Sequence, residues 1–336
     1  MTTLYPCGPL SIQLISDNTE WHARAADVLR LYTHWQTSHP SLTIHIHTTE
    51  HTAPMLTGNF LRCVGLHVDK TALGLEATCR SGASAHFNAS LYRWDIYMPQ
   101  RFLDRATVPP DIDDNLEDLL ELVLTTAWRQ FGWIPLHAGA VVQDARCAII
   151  TAPSRGGKTT FTVAMLHRGW KTLGDDKLLL KLTADHCAEL YSLQSIFNLD
   201  PQTRKWFPEV GDLTTLPLDS LWTPKRRLPI EHIWQNRMLA HAQPTHLIQI
   251  QRHPDPRPIH ASPLTADQLL SVLLHQTVIP TDRATATQVL STLSTLAKQL
   301  RGVRLELGLD AYDDPRTLDE IEQLTVIASR PCEAIS

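Results

Sequence analysis

The segment Ala152-Pro153-Ser154-Arg155-Gly156-Gly157-Lys158-Thr159-Thr160 combines two glycines, a lysine and a run of hydroxyls. Glycines let backbone N–H groups turn inward around phosphate oxygens. A helix beginning near Lys158 would add the positive end of its peptide dipoles. The lysine would supply a point charge to β- and γ-phosphates, and the Thr159 hydroxyl would ligate Mg²⁺. The segment fits the Walker A pattern with Ala152 in place of the first glycine. It predicts a phosphate-binding loop for ATP or a closely similar nucleoside triphosphate.

Further chemistry flanks the loop. His137 lies upstream, and the pair Asp175-Asp176 lies downstream. Two adjacent carboxylates could divide the work, one taking a proton from an attacking hydroxyl and one helping to hold Mg²⁺. The competing reading is a solvated Asp-Asp turn.

These residues need strands that end at a common edge. Ala138–Val142 and Cys147–Thr151 read as apolar strands joined by the polar turn 143–146. The second runs into the loop, a helix is predicted over Thr159–Arg168, and Gly169 stops it. A strand over Trp170–Leu173 then delivers Gly174-Asp175-Asp176, and Leu178–Leu182 reads as another. In open α/β sheets the carboxyl ends of neighbouring strands converge on one crevice, so the aspartates should face the phosphates.

Farther out, strand alternation is predicted at Leu10–Leu14, Leu42–His47, Leu61–Val68, Leu73–Thr78 and Leu91–Met98. Apolar residues from Trp21 to Trp35 recur at helical spacing behind Asn18 and Thr19, which could cap the helix. Residues 1–108 therefore read as an α+β amino-terminal domain. Val108–Asp111 reads as a linker, and residues 109–336 as a second domain that starts with a helix over Asn115–Gln130. Pro201–Pro258 reads as loops with short elements. Helices follow at Ala266–His275 and Ala284–Leu300, then a strand through Val303, Leu305 and Leu307, then a helix over Leu318–Ser329.

The run Leu136-His137-Ala138-Gly139, the loop, His167-Arg168-Gly169-Trp170 and Gly174-Asp175-Asp176 resemble the catalytic domain of HPr kinase/phosphorylase. More closely, they resemble HPr-kinase-related proteins of peptide natural-product clusters, including lasso-peptide kinases. The resemblance implies an α/β P-loop kinase domain of the HPr kinase and phosphoenolpyruvate carboxykinase type. It implies ATP and Mg²⁺, a serine hydroxyl of a peptide or protein as acceptor, and a homo-oligomer. Lys158 would stabilise the transferred group, Thr159 would ligate Mg²⁺, the aspartate pair would supply the base, and His137 would sit near the phosphates. Metal ligands would be Thr159, Asp176 and an acidic residue farther on, for which Asp200 is the choice over Glu189. The chain departs from the family at Ala152, Thr159 and Thr160, where Gly, Ser and Glu are usual. The family's later phosphorylase signature is not found, so neither phosphorolysis nor HPr as acceptor is expected.

Two other readings stay open: a small-molecule kinase on the same scaffold, and a non-catalytic nucleotide-binding protein. The basic run Lys225-Arg226-Arg227 and Arg252 could neutralise γ-phosphate charge, or could be ordinary solvated residues. His45 and His47 share a strand face with His51 nearby, but no Cys or acidic residue sits at ligand spacing, so no metal site is read there. The Tyr92 and Trp94 stripe reads as core or interface.

Composition limits the partners. The chain of 336 residues carries a formal net charge of −5, which argues against nucleic acid. Six cysteines without a CxxC pair suggest reduced thiols. No secretory signal and no membrane span is read, so the expectation is a cytoplasmic protein without a membrane partner.

Overall fold

Alternating apolar residues build the first sheet, and an amphipathic helix packs against it. The computed structural model describes residues 1–33, 41–53, 61–63, 66–71, 74–89, 91–104, 108, 113–219, 223–278, 282–308 and 310–327. The chain is mixed α/β with several sheets and divides into two compact units. One comprises Met1–Ile134 with Val278–Gln288, and the other Pro135–Thr277 with Val289–Ser336.

In the first unit, eight strands form one sheet: β1 (Thr2–Cys7), β2 (Leu10–Ser16), β3 (Ser41–Thr49), β4 (Leu61–Cys63), β5 (Leu66–Thr71), β6 (Gly74–Cys79), β7 (Ser84–Asn88) and β8 (Arg93–Pro99). Their order is β1-β2-β3-β8-β7-β6-β5-β4. Strand β3 is parallel to both β2 and β8, and the other pairs are antiparallel. Period-2 patterning puts Leu42, Ile44 and Ile46 on the buried face beside Trp94, Ile96 and Met98. Helix α1 (Thr19–Leu29) buries Trp21, Ala25, Ala26 and Leu29, and the Asn18 side chain accepts from the Glu20 and Trp21 amides as its N-cap. Helix α2 (Leu116–Gln130) also belongs to this unit, whereas a boundary at 108/109 assigned it to the second domain.

The stretch read as one strand over Leu61–Val68 is two antiparallel strands with Leu61 opposite Val68. Alternation reports which face a residue takes, not where the chain reverses. The linker at Val108–Asp111 lies, apart from Val108, outside the described residues, as does the Trp35 end of the helix read from Trp21.

The second unit contains the loop. After β9 (Ile134–Leu136) come β10 (Gly139–Gln143), β11 (Arg146–Thr151), α3 (Lys158–His167), β12 (Lys171–Gly174), β13 (Leu178–Leu182), β14 (Ala188–Ser192), β15 (Ile196–Leu199), β16 (Arg226–Pro229), β17 (His241–Ala242), β18 (His246–Arg252) and β19 (His260–Leu264). Then follow α4 (Ala266–Leu274), α5 (Arg283–Gln299, of which the residues through Gln288 belong to the first unit), β20 (Arg301–Leu307) and α6 (Pro315–Ile327). A six-stranded sheet runs β12-β10-β11-β18-β20-β19, a four-stranded sheet β17-β14-β13-β9, and β15 pairs with β16. Strands β11, β18 and β20 are parallel, while β10 and β12 flank them in an antiparallel arrangement. Phe161, Met165, Trp170, Phe197, Phe207 and Ile248 lie in the core of this unit.

Strand β18 corrects the reading of Pro201–Pro258 as loops with short elements. Its polar residues Gln249 and Gln251 interrupt the apolar signal, yet it pairs on both sides. Among the described residues, no helix is long and apolar enough to cross a membrane.

Carboxylates of the last helix tie it to the segment after α3, and Asp319 Oδ1 lies 2.5 Å from Arg168 Nη2. Glu322 on α6 accepts from Trp170 Nε1 at 3.0 Å and from Arg168 Nε at 3.1 Å. Burial would raise its pKa, but these donors outweigh it and the net shift is downward. Its contribution is therefore present above the ordinary Glu range and is lost as pH falls through the lower folded value. Glu322→Ala should cost about 1–2 kcal/mol in a denaturant titration at neutral pH, with a smaller difference from the wild-type protein under acid conditions.

Candidate active site

Strand polarity delivers the candidate residues to one end of the six-stranded sheet. Strand β11 ends at Thr151 and feeds the loop. Strand β10 is antiparallel to it with Gly139 opposite Ile150, so His137, just before β10, lies at that same end. Strand β12 is antiparallel to β10 with Gly174 opposite Ala140, which brings Asp175 and Asp176 there as well. Parallel β18 contributes Arg252 at its carboxyl end. The antiparallel pair β15–β16 sets Leu199 opposite Arg226, so Asp200 and Lys225 emerge together.

A cavity of about 480 Å³ lies at this edge. That volume falls within the usual range of small-molecule sites. His137, Pro153–Thr160, Asp175, Asp176, Asp200, Lys225 and Arg252 all line it. Ala152 is nearly buried at the base of the loop and lies outside the lining.

Gly157 caps α3 with φ 90°, ψ 13° and no side-chain cap. A side chain is strained there, and the leading amides of the helix are left available to an anion. Gly139 serves the aspartates. A Cβ at that position would lie 3.0 Å from the Asp175 carbonyl oxygen and 3.1 Å from its Cα. The lack of a side chain is what allows β10 to pass so close to Asp175.

Four titratable groups meet here. Lys158 Nζ donates to Asp176 Oδ1 at 2.7 Å and to the His137 carbonyl at 3.5 Å. His137 Nδ1 lies 3.5 Å from Asp176 Oδ2. Both Asp176 oxygens thus face cationic or ring nitrogen partners. Asp175 is buried, with 3% exposure, and its Oδ2 has no hydrogen-bond partner. The two carboxylates titrate apart. Burial, reinforced by the Asp176 charge, pushes Asp175 up to about 7 against the pull of Thr159, Lys158 and Lys225. Burial acts the same way on Asp176, but Lys158 and His137 overcome it and hold that carboxyl low. Buried acid pairs with divergent pKa values are a common feature of acid–base sites.

The other candidates separate clearly. Asp200 lines the cavity while its Oδ1 accepts from the Gln202 amide at 2.9 Å. Glu189 lies outside the lining, on β14, where Tyr191 Oη donates to it at 2.5 Å. Of the basic run, only Lys225 lines the cavity. Arg226 donates to the Leu216 carbonyl at 3.0 Å and Arg227 to that of Asp219 at 2.8 Å, so these two shape a loop. Sequence reasoning missed Trp206 and Thr223, which also line the cavity. The Arg252 guanidinium lies 5.9 Å from the Trp206 ring centroid. The tryptophan-rich composition of Pro201–Pro258 was the available signal for Trp206, and nothing in the sequence marked Thr223.

This donor set suits a magnesium nucleotide. It offers an uncapped helix N-terminus and a lysine for phosphate, with a hydroxyl and carboxylates as hard oxygen ligands. The buried Asp175 Oδ2 is a further acceptor without a protein donor.

No protein-family model matches this sequence, and no curated protein does. Among solved structures, the chain is similar to the Hpr(Ser) kinase/phosphatase from Coxiella burnetii, with a TM-score of 0.31 and 11% sequence identity. That match covers 57% of this chain and 94% of the other.

Proposed function

We propose that this protein is an ATP- and Mg²⁺-dependent kinase that transfers the γ-phosphoryl group to a hydroxyl. We further propose that the hydroxyl is a serine of a peptide or protein, such as a ribosomally made natural-product precursor. The observation that carries the reading is the convergence of Lys158, Thr159, Asp175, Asp176 and His137 on one cavity. The motif resemblance to HPr kinase carries the choice of serine.

Thr159, Asp176 and Asp200 would hold Mg²⁺, whose chemistry is to neutralise charge on phosphate oxygens. The loop amides and Lys158 orient the phosphates and stabilise charge on the group in transfer. The acceptor oxygen bonds to phosphorus as the bond from phosphorus to the bridging oxygen breaks, and the hydroxyl proton leaves to a carboxylate. Asp175 is the better acceptor of that proton, because its Oδ2 is unpartnered while both Asp176 oxygens are engaged. Asp176 positions Lys158, and His137 in turn braces Asp176. In this reading the amino-terminal unit recognises the acceptor, and the working form is a homo-oligomer.

The test is incubation with Mg·ATP and a panel of serine-bearing peptides and small hydroxyl compounds, read by mass spectrometry. Phosphoserine on a peptide is the expected product. Transfer confined to small molecules would replace the acceptor class, and nucleotide binding without any transfer would overturn the kinase reading.

A further inference from the structure

A second constellation sits in the first unit. Strand register places His45 opposite Asp95 and His47 opposite Tyr97, and the pleat puts all four on the sheet face away from Ile44 and Ile46. Asp95 Oδ1 lies 2.9 Å from His47 Nε2 and 3.9 Å from His45 Nδ1. One ligand atom from each residue fits within a mutual spacing of 4.8 Å. The two imidazole centroids are 4.0 Å apart, and Tyr97 stacks on His47 at 4.9 Å.

Tetrahedral zinc with bonds of about 2.0–2.1 Å sets its ligand atoms roughly 3.3 Å apart. The observed separations bracket that value, so small side-chain rotations would close the set. Arg93 Nε donates to the other Asp95 oxygen, Oδ2, at 2.9 Å. Such an outer contact fixes a ligating carboxylate and leaves Oδ1 turned to the histidines. The histidine side chains are 29% and 28% exposed and that of Asp95 is 11% exposed, which gives an ion a route from solvent. His86, opposite Asp95 on β7, has its Nδ1 at 3.8 Å from Glu76 Oε1.

We propose that His45, His47 and Asp95 form a zinc site with a fourth position open to water or to a donor from another molecule. The sequence offered no acidic partner for the two histidines because Asp95 arrives from a strand far along the chain. Its residues belong to the first unit, and none of them lines the cavity of the second.

The test uses the full chain, freed of metal with a chelator and titrated with zinc chloride in excess Mg²⁺ by calorimetry. One zinc per chain is expected, and the His45→Gln/His47→Gln variant should bind at least about tenfold more weakly. The thermal midpoint should rise with zinc in the wild-type protein and not in that variant. X-ray absorption of the zinc-loaded wild-type chain, which needs no variant, should show two imidazoles and a carboxylate around the ion. With 17 histidines in the chain, adventitious binding is the main competitor. Unchanged affinity in the double variant, affinity lost instead in His137→Gln or Asp176→Asn, or no binding at micromolar zinc would each overturn the site.

Discussion

Lys158→Ala should lower phosphoryl transfer by on the order of 10³-fold, because removing one preorganised charge from a developing transition state costs about that much. The side chain is 9% exposed and bridges the helix N-terminus to Asp176 at 2.7 Å. Its loss also leaves the Asp176 carboxylate to His137 and the more distant charge of Lys177. Breaking a fully buried pair costs about 3–5 kcal/mol. Asp176 is 27% exposed, so solvent reduces the penalty here to about 1–2 kcal/mol. Adding Asp176→Asn to Lys158→Ala should restore most of that stability and none of the transfer. Measured rates and denaturation midpoints for the two single variants and the double variant separate the roles. Near-normal transfer by Lys158→Ala would remove the lysine from the mechanism.

The second large effect belongs to Asp175. Asp175→Asn keeps the shape of the side chain, including its contact with Thr159, but cannot accept a proton. Transfer should fall by roughly 10²–10⁴-fold, the usual contribution of a positioned base, while nucleotide affinity changes only a few-fold. Asp176→Asn should also impair transfer, but through a mobile Lys158, so its nucleotide affinity should fall as well. If Asp175→Asn transferred phosphate at the wild-type rate, the proton would have to leave by another group.

Stability should report on the same residue without nucleotide. Burial raises Asp175 from 3.8 to about 7, so the folded protein holds this proton more tightly than the unfolded chain does. The associated stability is complete below the ordinary Asp range and is lost as pH rises through about 7. Asp175→Asn lacks that loss. Its stability relative to the wild-type protein should therefore climb between about pH 4 and 7 and level off above, in urea titrations across that range. A pH-independent difference would mean that Asp175 is already ionised in the acid range.

The residues that make this cavity were unequally legible. The loop and its strand and helix were readable because glycine, lysine and an apolar run are local signals. Strand β11 and helix α3 begin and end within a residue of the positions read from sequence, and Leu178–Leu182 coincides with β13. His137 and Asp175-Asp176 were readable because short connections fix which end of the sheet they reach. Arg252 was weighed without a means of placing it, since its position follows from β18 lying parallel to β11. Trp206 reaches the cavity through short 3₁₀ turns, which have no strong period in sequence. The join between Asp95 and the two histidines depends on the register of β3 on β8, and no spacing rule within one strand reveals it.

The compact units do not divide at residue 108, for a related reason. A linker in sequence is a local property, while membership of a compact unit is not. The segment Val278–Gln288 belongs with Met1–Ile134, and Arg129 donates a hydrogen bond to the Val278 carbonyl. During synthesis the amino-terminal unit therefore cannot be completed when its own strands have left the ribosome. It must wait until the chain through residue 288 has emerged, by which time the loop, Lys158 and both aspartates are already outside. Vectorial folding of amino-terminal domains ahead of their successors is the usual order. Here the last piece of the first unit is translated after every residue that lines the cavity of the second, and the second unit in turn closes only when β20 and α6 have followed, so each unit is completed by chain made after part of the other.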